Sequence, residues 1–549
     1  MGLFEHFPYT NFHELNLGWL VEEVKKLSDE MGQYDVHMEE LVDQWLTDHP
    51  EYVTTVVDGS LTLPKFAESL KQLTVNGYVT PEMFGAEGDG VADDTQAVQD
   101  ALDDGKPVYF AGTYKVTAAL TAGDSYLFGR GKIAYAGSYI RNLLSITGKC
   151  LMKDITIDGN DACAIAVMVV QTDNAIIKNV SISNCKNIAT DPCSCSGLAI
   201  AECDNADISD CTITNISRVT TLPGVHSSTG IAVYAHNNVV IHGCHIENIH
   251  STVESEECDG IYCAYLSTPV ENMAYIYGNT IIDCTGRFVK TQAKEAIIDG
   301  NKCINSVAFT ATRYFQPFSQ QLGNFRITNN FVNLGSSYER VYTHIISAAM
   351  SNLCSDLTGV IKGNTFNYTT NATNQRCRSL LYIGVIDGIA GKIAIEVKDN
   401  NLLVPVESFL YLTASGSSTL SGNLTVEDNL LDVYQVAEGH SITLEGILVK
   451  VAENTFASSL GSSRFSSESL LIDNVIFRDN RGINETLNNY PLDYTKIKVC
   501  DIYYRGAIQP MQNVPAAMGD GTYLYLQKTS TVAKYCDLAH QTTLGVTQA

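Results

Sequence analysis

The sequence predicts an all-β fold, a parallel β-solenoid of about twelve coils, preceded by an amino-terminal coiled-coil helix. Three observations predict it. Short apolar strands recur at intervals of 22 to 36 residues between residues 150 and 482; the positions flanking each recurring turn hold apolar residues almost without exception; and a run of asparagines follows the turns. Composition agrees. The 549 residues are 45% hydrophobic and 17% charged, enough apolar matter for a large core and too much for a disordered chain.

The first 50 residues have their own period. Leu17, Leu20, Val24, Leu27, Met31, Tyr34, Met38, Leu41 and Trp45 alternate spacings of three and four, which keeps one apolar seam on a supercoiled helix. A lone helix cannot bury such a seam, so a parallel homo-oligomer is expected, with an ordinary amphipathic helix as the alternative. Residues 51–77 read as a linker: Asp58-Gly-Ser-Leu-Thr-Leu-Pro64 is a turn, and a short helix follows from Lys65 to about Leu73.

Residues 78–149 read as a cap. Gly85 to Gly90 form a Gly-rich turn, and Asp93 stands three residues before Gln96 in capping-box spacing. A helix then carries Val98 and Leu102 on one face. Asp89, Asp93 and Asp94 are therefore expected to shape turns and cap the helix rather than to catalyse. Lys106 to Val116 reads as two strands around a glycine turn.

Residues 150–490 hold the coils. Asp154, Asn179, Asp210, Gly243, Gly278, Gly300, Asn329, Gly363, Asp399, Asp428, Glu453 and Asp479 anchor twelve turns. Two residues earlier stand Met152, Ile177, Ile208, Ile241, Ile276, Ile298, Ile327, Ile361, Val397, Val426, Val451 and Phe477, all apolar. Three residues later, from Ile157 to Phe456, the column stays apolar, and only the last turn, at Gly482, breaks it. Asn279, Asn301, Asn330, Asn364, Asn400, Asn429, Asn454 and Asn480 follow successive anchors. Asparagine tolerates a left-handed corner and bonds to its counterpart one rung away, so a structural asparagine ladder is expected. Residues 491–549 fit no rung and are expected to form a carboxy-terminal β element for trimerisation or a tip.

Charge and cysteines exclude several partners. With 61 acidic against 35 basic residues the net charge is −26, opposite to what nucleic acid requires. No window approaches eighteen apolar residues, and residues 1–13 lack a signal-peptide pattern, so neither a membrane span nor export is expected. Most of the sixteen cysteines, Cys185, Cys211, Cys244, Cys284 and Cys303 among them, lie in or beside strand-like runs and read as buried thiols. Cys193 and Cys195 have no second half at zinc spacing, so no metal or other cofactor is expected.

The cap from Phe84 to Thr95, followed by rungs of the type Ile-x-Gly-Asn, resembles the pectate-lyase-like right-handed parallel β-helix superfamily over roughly residues 78–490. The leading Tyr9-Thr-Asn-Phe-His-Glu-Leu-Asn-Leu-Gly-Trp-Leu20 resembles the virion-attachment ends of bacteriophage tail spikes, tail fibres and appendages. That resemblance implies a homotrimer in the virion, assembled in the bacterial host cytoplasm. It would be attached to phage tail or neck/connector proteins through its amino terminus, and would bind, and often cleave, a host cell-surface polysaccharide.

Solenoid chemistry sits on outward strand faces and on lengthened loops. The anchor intervals ending at Asp210, Gly243 and Gly278 are 31, 33 and 35 residues, and their loops carry Asp191, His226 and Glu254 to Asp259. Stacking is expected to align these loops on one edge. Glu256 and Asp259 are candidate general acid and base, since carboxylates one or two rungs apart, at about 5 to 10 Å, bracket the spacings used by glycosidases. An acidic loop that is merely solvated is the competing reading.

One rung later, Gly286-Arg-Phe-Val-Lys-Thr291 resembles the Arg-x-Lys substrate strand of the polygalacturonase branch. Arg287 and Lys290 are three apart, however, and share a face only across a bulge. The paired aspartates and Gly-His-Gly of that branch are absent, and His226 stands before Ser227-Ser-Thr-Gly230 instead. Lys290 as the base of a lyase, with Arg287 neutralising a uronate, or both as binders of an anionic glycan, fit the residue types equally. Sugar stacking would fall to Tyr234, Tyr262, Tyr265 and Tyr314, for which trimer packing is the alternative. A depolymerase, a non-catalytic receptor-binding or structural trimer, and, more distantly, a cellular pectin-type hydrolase remain open.

Overall fold

The computed structural model describes residues 77–537 except 192, 220–227, 252–257, 266–271, 307–316, 321–322, 335–343, 352–353, 368–376, 386–387, 457–464, 467–471, 479–496, 504–522 and 529–531. Side chains are described to residue 455, without 265, 415–417 and 434–447. The expected coiled coil and its linker in residues 1–76 lie outside the described residues.

Each coil contributes three strands, and each strand pairs in parallel with its equivalent one coil away. In one coil the path is Val239–His242, His245–Ser251 and Cys258–Tyr265, paired respectively with Met273–Tyr277, Thr280–Cys284 and Arg287–Thr291 in the next. Strand ladders that never reverse between coils define a parallel β-helix.

Both apolar columns read from the sequence are columns of register. Met152, Ile177, Ile208, Ile241, Ile276 and Ile298 are successive partners, as are Ile327, Ile361, Val397, Val426, Val451 and Phe477 after them. The second column runs in the same way from Ile157 to Phe456. Their described side chains form the buried core. Burying each aliphatic side chain is worth about 1.5 to 3 kcal/mol, so the interior of the coil is the main source of stability.

The ladder runs past both ends assigned to it. Val108 and Leu127 precede Met152 in the first column, and Ile502 and Leu526 follow Phe477. Ile497–Tyr503 and Tyr523–Lys528 are therefore added rungs of the first ladder, which corrects the expectation that residues 491–549 fit no rung. Among the described strands, Val532–Asp537 pairs antiparallel with Tyr523–Lys528. These rungs keep the interval but carry Tyr504-Arg505 and Lys528-Thr529 where the others carry the anchor and the asparagine.

The corners explain the spacing of the anchors. Every described anchor, from Asp154 at φ 62° through Gly243 at 65° to Glu453 at 59°, is left-handed. The asparagines that follow the anchors from Gly278 to Glu453 are not in that region, so at these corners the left-handed role belongs to the anchor. The asparagines do the other half of the work. In Asn364, Nδ2 donates to Asn400 Oδ1 at 2.9 Å and to Ile327 O at 2.7 Å. Its Oδ1 accepts from the backbone N–H and Nδ2 of Asn330 at 2.9 and 3.0 Å. The same pattern holds from Asn279 to Asn454, and it satisfies amides that are almost fully buried. A second polar ladder, Asp158, Asn184, Asn215 and Asn248, lines the next corner.

In the cap, helix Thr95–Asp103 buries Val98, Ala101 and Leu102. Its acids serve geometry: Asp89 Oδ1 accepts from the N–H groups of Val91 and Ala92, and buried Asp94 accepts from those of Glu87 and Gly88. The capping box does not form, because Asp93 bonds Thr95 and Gln96 turns to Asp100.

The ladder makes a direct prediction. Asn364→Leu leaves two donors of Asn330 without their acceptor inside the core, at a cost of about 2 to 4 kcal/mol. Urea unfolding should show the midpoint falling accordingly, whereas an exposed substitution such as Lys392→Gln should leave it in place.

Candidate functional site on the third strand face

The third strand of each coil carries the candidate site. Leu144, Val167, Leu198, Ile231, Ile261, Val289, Phe318, Ile346, Leu381 and Leu410 are register partners and face the core. In each described coil from Gly197 onwards the preceding residue also sits against the interior. It is either a glycine, where a Cβ on Gly260 would lie 2.8 Å from Ile281 Cγ2, or an apolar residue such as Phe288, Ile345 or Leu380. Two consecutive inward residues require a bulge. At Phe288 and Val289 it is explicit, since both N–H groups donate to Pro317 O at 3.1 Å.

That bulge decides how Arg287 and Lys290 stand. Spaced by three, they flank the inward pair and both face outward, each meeting a side chain of the preceding coil. Arg287 lies in register with Asp259 and grips it through two bonds, Nε to Oδ1 at 2.5 Å and Nη2 to Oδ2 at 3.2 Å. Lys290 lies in register with Tyr262, its Nζ 4.8 Å from the ring centroid. Tyr234 meets Tyr262 edge-on at 5.6 Å. Burial, and then the charge of Asp259, raises the Tyr234 hydroxyl above its ordinary value.

These charged groups are close to sealed. Asp259 is 0% exposed, Arg287 5% and Lys290 6%, with Thr229 at 2% and Ser319 at 1% beside them in the same two outward columns. Outward strand positions normally reach water, so burial of two cations and an anion is a costly local choice. The bidentate pair offsets part of the cost, and a desolvated cation over an aromatic face contributes about 2 kcal/mol more.

The other expected residues fall differently. Glu256 and His226 lie outside the described residues, as do Tyr314 and the side chain of Tyr265. Asp191 does not join the cluster. Its carboxylate accepts from Arg141 Nε at 3.1 and 3.0 Å and from Tyr139 at 2.9 Å. Arg141 adjoins Asn142, which is four register steps before Asp259, about 19 Å along the axis. Burial alone would raise the Asp191 carboxyl; the bonds to Arg141 and Tyr139 outweigh it and hold the group below the ordinary carboxylate range. Asp191 thus ties its loop back toward an earlier coil.

A second group on this face went unread in the sequence. His344, Tyr382 and Tyr411 stack at centroid separations of 4.5, 5.5 and 5.9 Å, and Arg378 lies 4.7 Å over Tyr411 while pairing with Glu407 at 3.3 Å. His344 Nδ1 meets Ser379 Oγ at 2.8 Å. Burial, with the Arg378 charge adding to it, pushes the imidazole down to about 3. The signal was available: all three rings fall in the outward columns of Asp259 and Tyr262 once the bulge is counted.

The fourteen described cysteines form no disulfide and twelve of them are buried, burial pushing thiols such as Cys150 up to about 12. Among the described residues no group of His, Cys, Asp and Glu is arranged to hold a metal ion, and no helix is long and apolar enough to cross a membrane.

Two stability predictions follow from the site. Asp259→Ala removes the bidentate partner of buried Arg287 and should cost about 3 to 5 kcal/mol. An Asp259→Leu, Arg287→Met double variant should recover most of that loss in urea titrations. His344 is neutral when folded and titrates near 6.5 when unfolded, so the unfolded chain binds the extra proton between about 6.5 and 3. Stability from this group is full above pH 6.5 and declines as the pH falls through that window. In His344→Gln the decline should be shallower.

Similar folds are found among solved structures. The chain is similar to the tailspike protein gp49 from Pseudomonas phage LKA1, with 12% identity, a TM-score of 0.45, and coverage of 71% of this chain and 83% of that one. A tailspike protein of E. coli bacteriophage HK620 matches with 10% identity, a TM-score of 0.39, and coverage of 83% and 81%. The catalytic unit of a GH87 alpha-1,3-glucanase from Streptomyces thermodiastaticus strain HF3-3 matches with 12% identity, a TM-score of 0.34, and coverage of 78% and 65%. Residues 143–332 match the family model described as a right handed beta helix region, and together with the three parallel ladders this assigns the fold as a right-handed parallel β-helix.

Proposed function

We propose that this chain is a tail appendage of a tailed bacteriophage that recognises a host surface polysaccharide and depolymerises it on the third strand face, at Asp259, Arg287 and Lys290. The observation that carries the reading is the sealed polar cluster itself: two cations, a carboxylate and a tyrosine held outward from a β-helix core that has no structural need of them. Arg287 and Lys290 place two cations on one face of a protein whose net charge of −26 otherwise repels an acidic sugar. The amino-terminal segment would attach a homotrimer to the tail or neck of the virion.

Within this reading Asp259 is a positioning group, since both of its oxygens are occupied by Arg287. Proton transfer then falls to Lys290 and Glu256, and Arg287 and Tyr262 orient the sugar, with His226 and Tyr265 as further candidate contacts. A non-catalytic receptor-binding trimer is the second reading, and the same bidentate grip on Asp259 favours it, because the one described carboxylate of the cluster is already engaged.

Host envelope polysaccharide incubated with the purified protein separates the two. A depolymerase releases reducing ends, and a lyase also generates the ultraviolet absorbance of an unsaturated uronate. Lys290→Ala and Glu256→Gln should lower the rate at least about a hundredfold with the oligomer intact. Polysaccharide that is bound without release of product would establish the receptor-binding reading instead.

A further inference from the structure

The first strand face is apolar on its outside as well as its inside. Tyr126, Leu151, Ile176, Val240, Tyr275 and Ile297 share one outward column of register, interrupted by Asp207. Ile176, near its centre, is 43% exposed, and the other five are half-buried. The outward column beside it carries Tyr109, Phe128, His242 and Tyr277, with Lys153, Lys178 and Ser209 between them. Farther along, the same face turns polar. Arg326, Glu396 and Lys450 enter the first column, and Lys362 and Lys398 of the second pair with Asp399 and Asp428 at 3.9 and 3.4 Å. The apolar strip, six steps of about 4.8 Å or roughly 29 Å long, thus gives way to a charged surface on one and the same ladder.

At the rungs around Ile176 the β-helix has no element that folds over the strip. Strands Cys163–Lys178 and Cys195–Ser209 pass from the third face to the first without a break. On the other edge the corners at Asp154, Asn179 and Asp210 each lead into the second face within two residues. An exposed apolar strip rimmed by polar residues marks a contact with another molecule. Its aliphatic centre suits protein rather than sugar, since Leu151, Ile176 and Val240 offer neither a hydrogen bond nor a ring to stack on. A copy of this chain fits further. Along the strip from Tyr109 to Ile297 the two columns hold one acid, Asp207, so chains of net charge −26 can approach here with few opposed carboxylates. The ladder also begins where the chain enters the β-helix, with Val79 bridging Val108, and the seam read upstream in residues 17–45 calls for copies in parallel.

We propose that the strip from Tyr126 to Tyr275 is the surface on which parallel copies of this chain meet, with Ile176 at the centre of the contact and Lys153, Lys178 and Asp207 on its rim. Parallel copies related by rotation then set the same rungs side by side, and the third face is left to the polysaccharide. This deepens the homotrimer of the proposed function and rests on it.

The test uses the full chain with the photo-crosslinking residue p-benzoylphenylalanine in place of Ile176 and, as control, in place of Phe331, a 39% exposed residue of the second face. Wild type should have the mass of three copies by light scattering. Illumination should join copies through position 176, to peptides from Cys150–Lys153, Cys163–Lys178 or Cys195–Ser209 of a neighbour, and not through position 331. Ile176→Asp should speed subunit exchange between differently tagged trimers at least about tenfold, with Phe331→Asp exchanging as wild type does. A trimer in which position 176 joins no neighbour, joins no better than position 331, or joins residues 1–76 of its own chain overturns the contact and leaves the homotrimer standing. A wild type that is monomeric at every concentration removes the homotrimer and the contact together.

Discussion

The constraint on which the structure depends is the left-handed residue that turns each coil. Each described anchor takes a conformation that costs an ordinary side chain about 1 to 3 kcal/mol, so the position is restricted to Gly, Asn and Asp with a single Glu. Repeating it at the same place in every coil sets parallel register, and register in turn stacks everything else. Stacked anchors also recover part of their cost. Asn179 Nδ2 donates to Asp154 Oδ1 at 2.7 Å, and Gly243 leaves just enough room for Asp210 Oδ1, which would lie 2.6 Å from an added Cβ.

Register converts a one-dimensional sequence into columns, and the candidate site is a consequence of two of them. A residue placed outward on one coil has its neighbours decided by position, not by chain proximity. Asp259 and Arg287 meet although 28 residues separate them, and Tyr262 and Lys290 meet by the same offset. The bulge adds the remaining element. By turning two consecutive residues inward, it lets positions three apart share the outer face, so an anion and a ring on one strand are answered by two cations on the next.

How much of this was legible follows from the same physics. The first two strand faces could be read because a short, nearly constant stretch joins them through the anchor: the spacing of five residues from Met152 to Ile157 recurs from Ile177 to Ile182 and at each later coil. The asparagine ladder was legible for the same reason. The third face was not, since loops of differing length precede it and no fixed offset leads from the anchor to Asp259 or His344. Arg287 and Lys290 were found by residue type, with their common face conditional on a bulge that only backbone hydrogen bonds reveal. Asp191 was misplaced because loop alignment says nothing about which way a side chain reaches; Arg141, 50 residues earlier in sequence, decides it. The rungs at Ile502 and Leu526 were missed because they lack the anchor and asparagine that mark the others.

The account's central claim is that host polysaccharide lies on the third strand face. Hydrogen–deuterium exchange, read with and without that polysaccharide, tests it most directly. Protection should concentrate in Cys258–Tyr265, Arg287–Thr291, His344–Met350 and Cys377–Val385. The strands Val239–His242, Met273–Tyr277 and Glu295–Asp299 on the first face should be unchanged. Protection confined to that first face, with the third exchanging as it does alone, would contradict the account.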